Sequence, residues 1–369
     1  MEIESQANNH EEEFNKQKTV QKIFLKRMIL LMNCAILSIG NTGGPLLLRL
    51  YFIRGGKRVW LSCWLETGGW PIMLIPLLGS YIYRVRKSKE KAKLLFITPF
   101  LFVAGAVLGV LTGVDDYLYA YGVSKLPVST SALIISTQLV FTAGFAFLLV
   151  KQKFTSYTIN AIVLLTVAAV VLGVRASSDR PNGESKMEYF TGFFMTLGAS
   201  ALYGFVLPMV ELTYKKSKTK ISYTLVIEMQ MVMSLFATAF CTIGMLINKD
   251  FQAIPREAKA YELGEAKYYT VLVSNAIVWQ FFFLGAIGVI FSASSLLSGI
   301  MIAVLLPLTE SLAVVFYHEK FSSEKGIALA LSLWGFVSYF YGEYKQTKQL
   351  QQSIIESKTN TVVNASSPT

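Results

Sequence analysis

Ten stretches of this sequence, 28–48, 60–82, 94–120, 126–150, 157–174, 189–210, 222–247, 268–290, 294–317 and 324–342, run apolar for about the 20 residues that a helix needs to span a hydrocarbon core. Inside a bilayer every backbone N–H and C=O needs an internal partner, so runs of this length fold as helices. Charged residues make up only 15% of the 369, against about 25% in soluble domains. The chain therefore reads as an integral, multi-pass, all-α membrane protein. Its net charge of +11 does not point to nucleic acid, because the Lys and Arg lie in short tracts between apolar runs instead of on one polar face.

Those tracts set the expected topology. With ten crossings both termini share a side, and placing them in the cytosol puts 20 of the 34 Lys and Arg there, as the positive-inside rule favours. Residues 1–27 lack a small-residue cleavage site and lead into a run too long for a signal-peptide core, so they read as a retained cytosolic tail. Residues 345–369 are polar and poor in aromatics and read as a disordered cytosolic tail. Cys34, Cys63 and Cys241 lie in apolar runs without a CxxC pair, the pattern of structural thiols rather than of a zinc site or a disulfide framework.

The segment 148–173 (LLVKQKFTSYTINAIVLLTVAAVVLG) is repeated in outline at 315–342, Lys153, Phe154 and Ser156 matching Lys320, Phe321 and Ser323. Each copy opens the last helix of a five-helix half, 28–174 and 189–344, joined by a loop at 175–188. An odd number of helices per half makes the halves start on opposite sides, the inverted-repeat arrangement of secondary transporters.

Polar side chains inside such helices must face the bundle interior or a water-filled path. An aspartate at the bilayer centre costs roughly 2.5–3.5 kcal/mol, yet TGVDDYLYAYG, Thr112 to Gly122, carries Asp115 and Asp116 together beside Tyr117, Tyr119 and Tyr121. By depth, Gln138, Glu228, Gln230, Trp279, Gln280, Thr309 and Glu310 fall within helices, and GNTGGP, Gly40 to Pro45, places Asn41 in a glycine-rich, proline-containing stretch expected to break the helix locally. An inventory of carboxamides, carboxylates and aromatics with few buried cations suits a planar heteroaromatic, stacked on Trp or Tyr and paired at its edge with Gln, Asn or carboxylate. It does not suit phosphate. Each residue has a plainer rival use: a lone Gln or Thr also ties helix to helix, Glu66 and the Asp pair also suit a wet helix end, Glu211 beside Lys215 and Lys216 reads as an interface acid, and Trp60, Trp64 and Trp334 read as interface anchors. The only histidines are His10 and His318, and no HExxH is present, which argues against a membrane enzyme.

The strings GNTGGPLLLRLYFIRGGKRVW, TGVDDYLYAYGVSKLPVSTSALIISTQLVFTAGFAFLLVKQKFT, PMVELTYKK, IEMQMVM, WQFFFLGAIGVIFSASSLLSGI, LLPLTESLAVV and EKGIALALSLWGFVSYFYGEYK resemble the plant purine permease family of the drug/metabolite transporter superfamily, over residues 28 to 344. The resemblance implies a ten-helix, two-repeat carrier for adenine and other nucleobases, cytokinins and related alkaloids, driven by protons. It implies no cofactor beyond the proton as coupling ion and, as partners, a small purine or cytokinin substrate and the lipid bilayer. Nucleotide-sugar, alkaloid or vitamin transport within the same superfamily is the alternative. On this reading Asn41, Tyr117, Gln138, Gln230, Trp279, Gln280 and Thr309 are the expected substrate contacts, and Asp115, Glu228 and Glu310 the expected proton-coupling acids. Asp116 and Glu66 depart from the family pattern and are left out of the expected site. The expected location is the plasma membrane.

Overall fold

A computed structural model describes residues 2–87, 93–126, 131, 134–135, 137–174, 186–317 and 323–365. Among them there is no strand. The helices are α1 (Glu2–Ile53), α2 (Val59–Thr67), a 3-10 turn (Trp70–Met73), α3 (Leu74–Lys87), α4 (Pro99–Lys125), α5 (Gln138–Val150), α6 (Ser156–Val174), α7 (Lys186–Lys216), α8 (Tyr223–Ile247), α9 (Asp250–Ala260), α10 (Glu265–Ser292), α11 (Ser295–Tyr317) and α12 (Ser323–Ala365). Of the described residues, seven helical spans are long and apolar enough to cross a membrane: Phe24–Ile53, Val59–Lys87, Pro99–Gly122, Met187–Lys216, Tyr223–Ile247, Glu265–Ser292 and Ser295–Tyr317. Two shorter apolar helices, Gln138–Val150 and Ser156–Ala168, accompany them, and α12 takes in the tenth apolar window.

Local chemistry sets several boundaries. Thr98 accepts from Leu101 N at 3.4 Å and is followed by Pro99 at the first helical position, so α4 begins where the proline's missing N–H costs nothing. Ser222 caps α8 in the same way through Leu225 N at 3.3 Å. Two carboxylates grip the starts of neighbouring segments. Glu228 of α8 accepts from Phe96 N and Ile97 N, each at 2.8 Å, immediately ahead of α4. Glu211 of α7 pairs with Lys215 Nζ at 2.7 Å, as expected of an interface acid, and also accepts from Ser295 N at 2.7 Å and Ser295 Oγ at 2.5 Å at the start of α11. Negative charge at a helix N-terminus is favoured by the unpaired N–H groups there.

Three sequence expectations change. The GNTGGP stretch does not interrupt α1, which runs through Pro45 to Ile53. Its glycines serve packing: a Cβ at Gly40 would lie 2.0 Å from Phe282 N of α10, and on the facing side one at Gly285 would lie 2.4 Å from Leu37 N of α1. The break occurs in the second window instead, where α2 stops at Thr67 and Gly68, Gly69 and Trp70-Pro71 turn the chain into α3. Gly69 is held there by close approach, since a Cβ on it would sit 2.1 Å from Ala276 O of α10. Finally, residues 345–365 continue α12, the reason being that a chain of Lys, Gln, Leu and Glu extending an existing helix needs no new nucleus.

Packing joins α1 to α10 and α11, α4 to α7 and α8, α5 to α7, α2 to α8 and α6 to α12. The main core lies between these layers, around Leu37, Leu108, Leu207, Met229, Phe283 and Ile300. The segment 248–267, between the seventh and eighth apolar runs, contains α9, which is clasped to the ends of α1 and α10: Tyr51 Oη and Tyr268 Oη donate to Glu257 Oε1 at 2.5 and 3.0 Å, and Arg58 pairs with Asp250 at 3.4 Å.

Candidate functional site

A cavity of about 680 Å³ lies between α1, α2, α4, α5, α7, α10 and α11. Its volume is that of a small-molecule site. It runs toward the end of the bundle where α1 and α4 finish, and Phe52, Lys57, Ser124 and Lys125 line it there. The carboxylate clamps on Phe96–Ile97 and Ser295 lie at the opposite end.

Aromatic rings make one wall. Trp279 of α10 meets Phe282 edge-on at 5.2 Å and Phe283 at 6.0 Å, and Tyr203 of α7 stacks on Phe282 at 5.8 Å and 26°. The indole can lie close to α1 because residue 44 is glycine; a Cβ there would touch Trp279 Cε2 at 2.9 Å. Trp279 is only 5% exposed and its Nε1 has no hydrogen-bond partner among the described residues. Asn41, whose Nδ2 makes a long 3.5 Å contact with Ile302 O, lines the cavity with Gln138, Thr309 and Ser131, and the Ser131 hydroxyl too is buried with no partner among the described residues.

The acids stand on the wall between α2 and α4. Glu66, Asp115 and Asp116 are 2%, 7% and 2% exposed and all line the cavity. Glu66 Oε1, Asp115 Oδ1 and Asp116 Oδ2 have no partner among the described residues. Glu66 and Asp116 are within hydrogen-bonding reach of one another, and Tyr203 is close enough to all three acids to feel their charge.

Of the residues expected to touch substrate, then, Asn41, Gln138, Trp279 and Thr309 come together on the cavity, with Asp115. Three others lie elsewhere. Tyr117 stacks on Trp60 at 4.1 Å and 21°, beyond the cavity lining, while Trp64, expected as an anchor, donates from Nε1 to Thr242 Oγ1 at 3.0 Å. Gln230 and Gln280 are fully interior and belong to one hydrogen-bonded chain. Gln230 Nε2 donates to Ser234 Oγ at 2.8 Å, that hydroxyl donates to Gln280 Oε1 at 3.2 Å, and Gln280 Nε2 reaches Glu66 O and Thr67 O at 3.2 and 3.1 Å. Those carbonyls are the ones that the break after Thr67 deprives of helical partners. Glu228 is engaged by Phe96 and Ile97 and is absent from the lining. Glu310 follows Thr309 on α11, but its side chain lies outside the described residues. Sequence reasoning missed Glu66, Asp116, Tyr119, Tyr203 and Ser131 as lining residues; the signal that marks Glu66 is the GGWP break just beyond it.

Comparison with known proteins places this arrangement. The profile of the PUNUT family, described as purine nucleobase transmembrane transport, matches residues 28–349. "Purine permease 3" of Arabidopsis thaliana is 57% identical over 321 residues, covering 86% of this chain and 92% of that protein. "Purine permease 2" of the same plant is 52% identical over 338 residues, 88% of this chain and 94% of its own length. A solved crystal structure superposes with a TM-score of 0.56 at 14% identity, over 84% of this chain and 97% of that one, which shows a common fold alone. With most of its length matched by the profile and by relatives more than half identical to it, the chain belongs to the purine permease family, whose members are membrane transporters of purine nucleobases and not enzymes.

Proposed function

We propose that this protein takes up adenine and related purines, including purine-derived cytokinins, across the plasma membrane in symport with protons, binding them in the cavity between α1, α4, α7 and α10. The observation that carries the reading is the pairing, in one small-molecule-sized cavity, of an aromatic wall with polar groups that lack partners among the described residues: Trp279 Nε1, Asp115 Oδ1 and the Ser131 hydroxyl. A nucleobase offers a π-face to the Trp279 ring and both N–H donors and ring-nitrogen acceptors to those groups. Asn41, Gln138 and Thr309 complete the edge, and Asp115 accepts from a substrate N–H. Buried acids on the same wall supply groups for proton coupling.

The proposed architecture is ten crossings in two inverted halves, 28–174 and 189–344, with cytosolic tails at 1–27 and 345–369. Its support is the exchange of packing partners expected of a pseudo-twofold axis in the membrane plane. The pair α1·α10 becomes α7·α4, α1·α11 becomes α7·α5, and α2·α4 becomes α8·α10 when the first helix of one half is swapped for the first of the other. On this topology the cavity mouth at Lys57 and Lys125 faces outward and the Glu228 and Glu211 clamps hold the cytosolic end shut.

The test is uptake of labelled adenine by cells expressing the protein, with Trp279→Phe and Trp279→Leu compared at equal surface expression. The Phe variant, which keeps a ring, is expected to retain saturable uptake with a KM raised several-fold. The Leu variant, which keeps bulk alone, is expected to lose most of it; stacking of a base on an aromatic side chain is worth about 1–3 kcal/mol. Equal uptake by the two would assign Trp279 to helix packing, and absence of adenine or cytokinin uptake by the wild type would remove the substrate reading.

A further inference from the structure

We infer that Glu66 and Asp116, facing each other across the seam between α2 and α4, are the proton-carrying pair of the transporter. The inference rests on the proposed uptake reading and names the group that couples it.

Because α2 ends at Thr67, the carbonyls of Glu66 and Thr67 are left without helical donors, and Gln280 Nε2 takes both at 3.2 and 3.1 Å. Thr238 Oγ1 of α8 also donates to Thr67 Oγ1 at 3.1 Å. The backbone that bears Glu66 is thus pinned from α8 and α10. Its side chain lies toward α4, where Asp116 sits and where Cys63 Sγ touches Asp116 O at 3.6 Å.

Carboxylates only accept hydrogen bonds, so two carboxyl groups within bonding reach bond each other only when one carries a proton. Glu66 and Asp116 lie within that reach, and among the described residues their far oxygens, Oε1 and Oδ2, have no partner on the cavity wall. The titratable groups around them are Asp115 on α4, Cys63 on α2, Cys241 on α8 and Tyr203 on α7; α10 offers the neutral Gln280. A pair so placed holds one proton between two helices, and losing it leaves two like charges side by side in an apolar wall, a state relieved when water or substrate reaches the cavity. Independent pointers to a ligand in the same cavity are the buried Trp279 Nε1 and Ser131 hydroxyl, which have no partner among the described residues. The rival is a strut that keeps its proton through every cycle and only ties α2 to α4.

Purified protein in liposomes separates the two. The measurements are adenine-driven proton entry followed by a trapped pH dye, uphill accumulation of labelled adenine under a pH gradient, and adenine–adenine exchange, for wild type, Glu66→Gln, Asp116→Asn and the swap Glu66→Asp with Asp116→Glu. Wild type is expected to move protons with adenine. Each single variant is expected to lose proton entry and to let adenine only equilibrate, with exchange within a few-fold of wild type; the swap, which keeps a carboxyl on each helix, is expected to restore accumulation. Infrared difference spectra on raising pH are expected to lose a protonated-carboxyl band in wild type that the single variants lack. Either single variant accumulating adenine with wild-type proton entry overturns the pair. So does a protonated-carboxyl band in wild type that never titrates, or single variants that lose exchange as well and are not restored by the swap. A wild type that exchanges adenine without any proton movement overturns the pair and leaves the substrate reading standing, whereas a wild type that neither binds nor exchanges any purine removes the substrate reading itself.

Discussion

Neighbouring residues on a helix point about 100° apart, and that angle divides Trp279 from Gln280. One faces the cavity; the other turns into the α8–α10 seam to hold Glu66 O and Thr67 O. Their depth in the crossing is readable from sequence. Their azimuth is not, because α10 is apolar on every side and gives no stripe to orient it. The same ambiguity explains why Tyr117 was chosen over Tyr119 on the same helix, although Tyr119 is the one that lines the cavity with Asn41, Gln138 and Thr309. Glycine roles are equally sharp at this scale. Gly69→Ala would drive a methyl to 2.1 Å from Ala276 O, whereas Gly79→Ala meets nothing within 4 Å. In unfolding assays in detergent the first is expected to cost about 1–3 kcal/mol, as overpacking does, and the second to be neutral or slightly stabilising as helix propensity rises. Equal melting temperatures for the two would show that the α2–α10 approach is not tight.

Among the elements, the second crossing is the one whose character hydropathy concealed. Averaged over 60–82 the run is apolar enough to span, so the window hides Gly68-Gly69-Trp70-Pro71, a cluster of breakers that local turn chemistry alone would have flagged. Glycine and proline in GNTGGP gave the opposite error, since close helix packing and helix breaking draw on the same residue. Glu228 illustrates how a membrane carboxylate acquires a use at the level of whole helices: two N–H groups ahead of α4 converge on it. Glu228→Ala would orphan both and is expected to lower stability by about 2–4 kcal/mol, with each buried unpaired group costing roughly 1–3. Glu228→Gln keeps an acceptor oxygen and is expected to fold, with a smaller drop in melting temperature, and to accumulate adenine against a gradient. If the Gln variant instead exchanges adenine but cannot concentrate it, Glu228 carries a coupling proton in addition to its clamp.

At the scale of the molecule, the tightest seam does not follow the order of the chain. The glycine-lined contact joins α1 to α10, and α4 lies against α7 and α8, so each layer draws helices from before and after residue 180. Among the described residues, neither portion has its own partners for these faces. Cut between Val174 and Lys186, the two pieces should therefore behave as obligate subunits of a heterodimer: expressed singly each is expected to be degraded, and expressed together they are expected to copurify and restore adenine uptake. A stable, monodisperse first piece on its own would mean that its helices satisfy one another. If the pieces behave so, the covalent link does no more than fix the stoichiometry of two parts that bind each other, as a tether does for the subunits of a heterodimer.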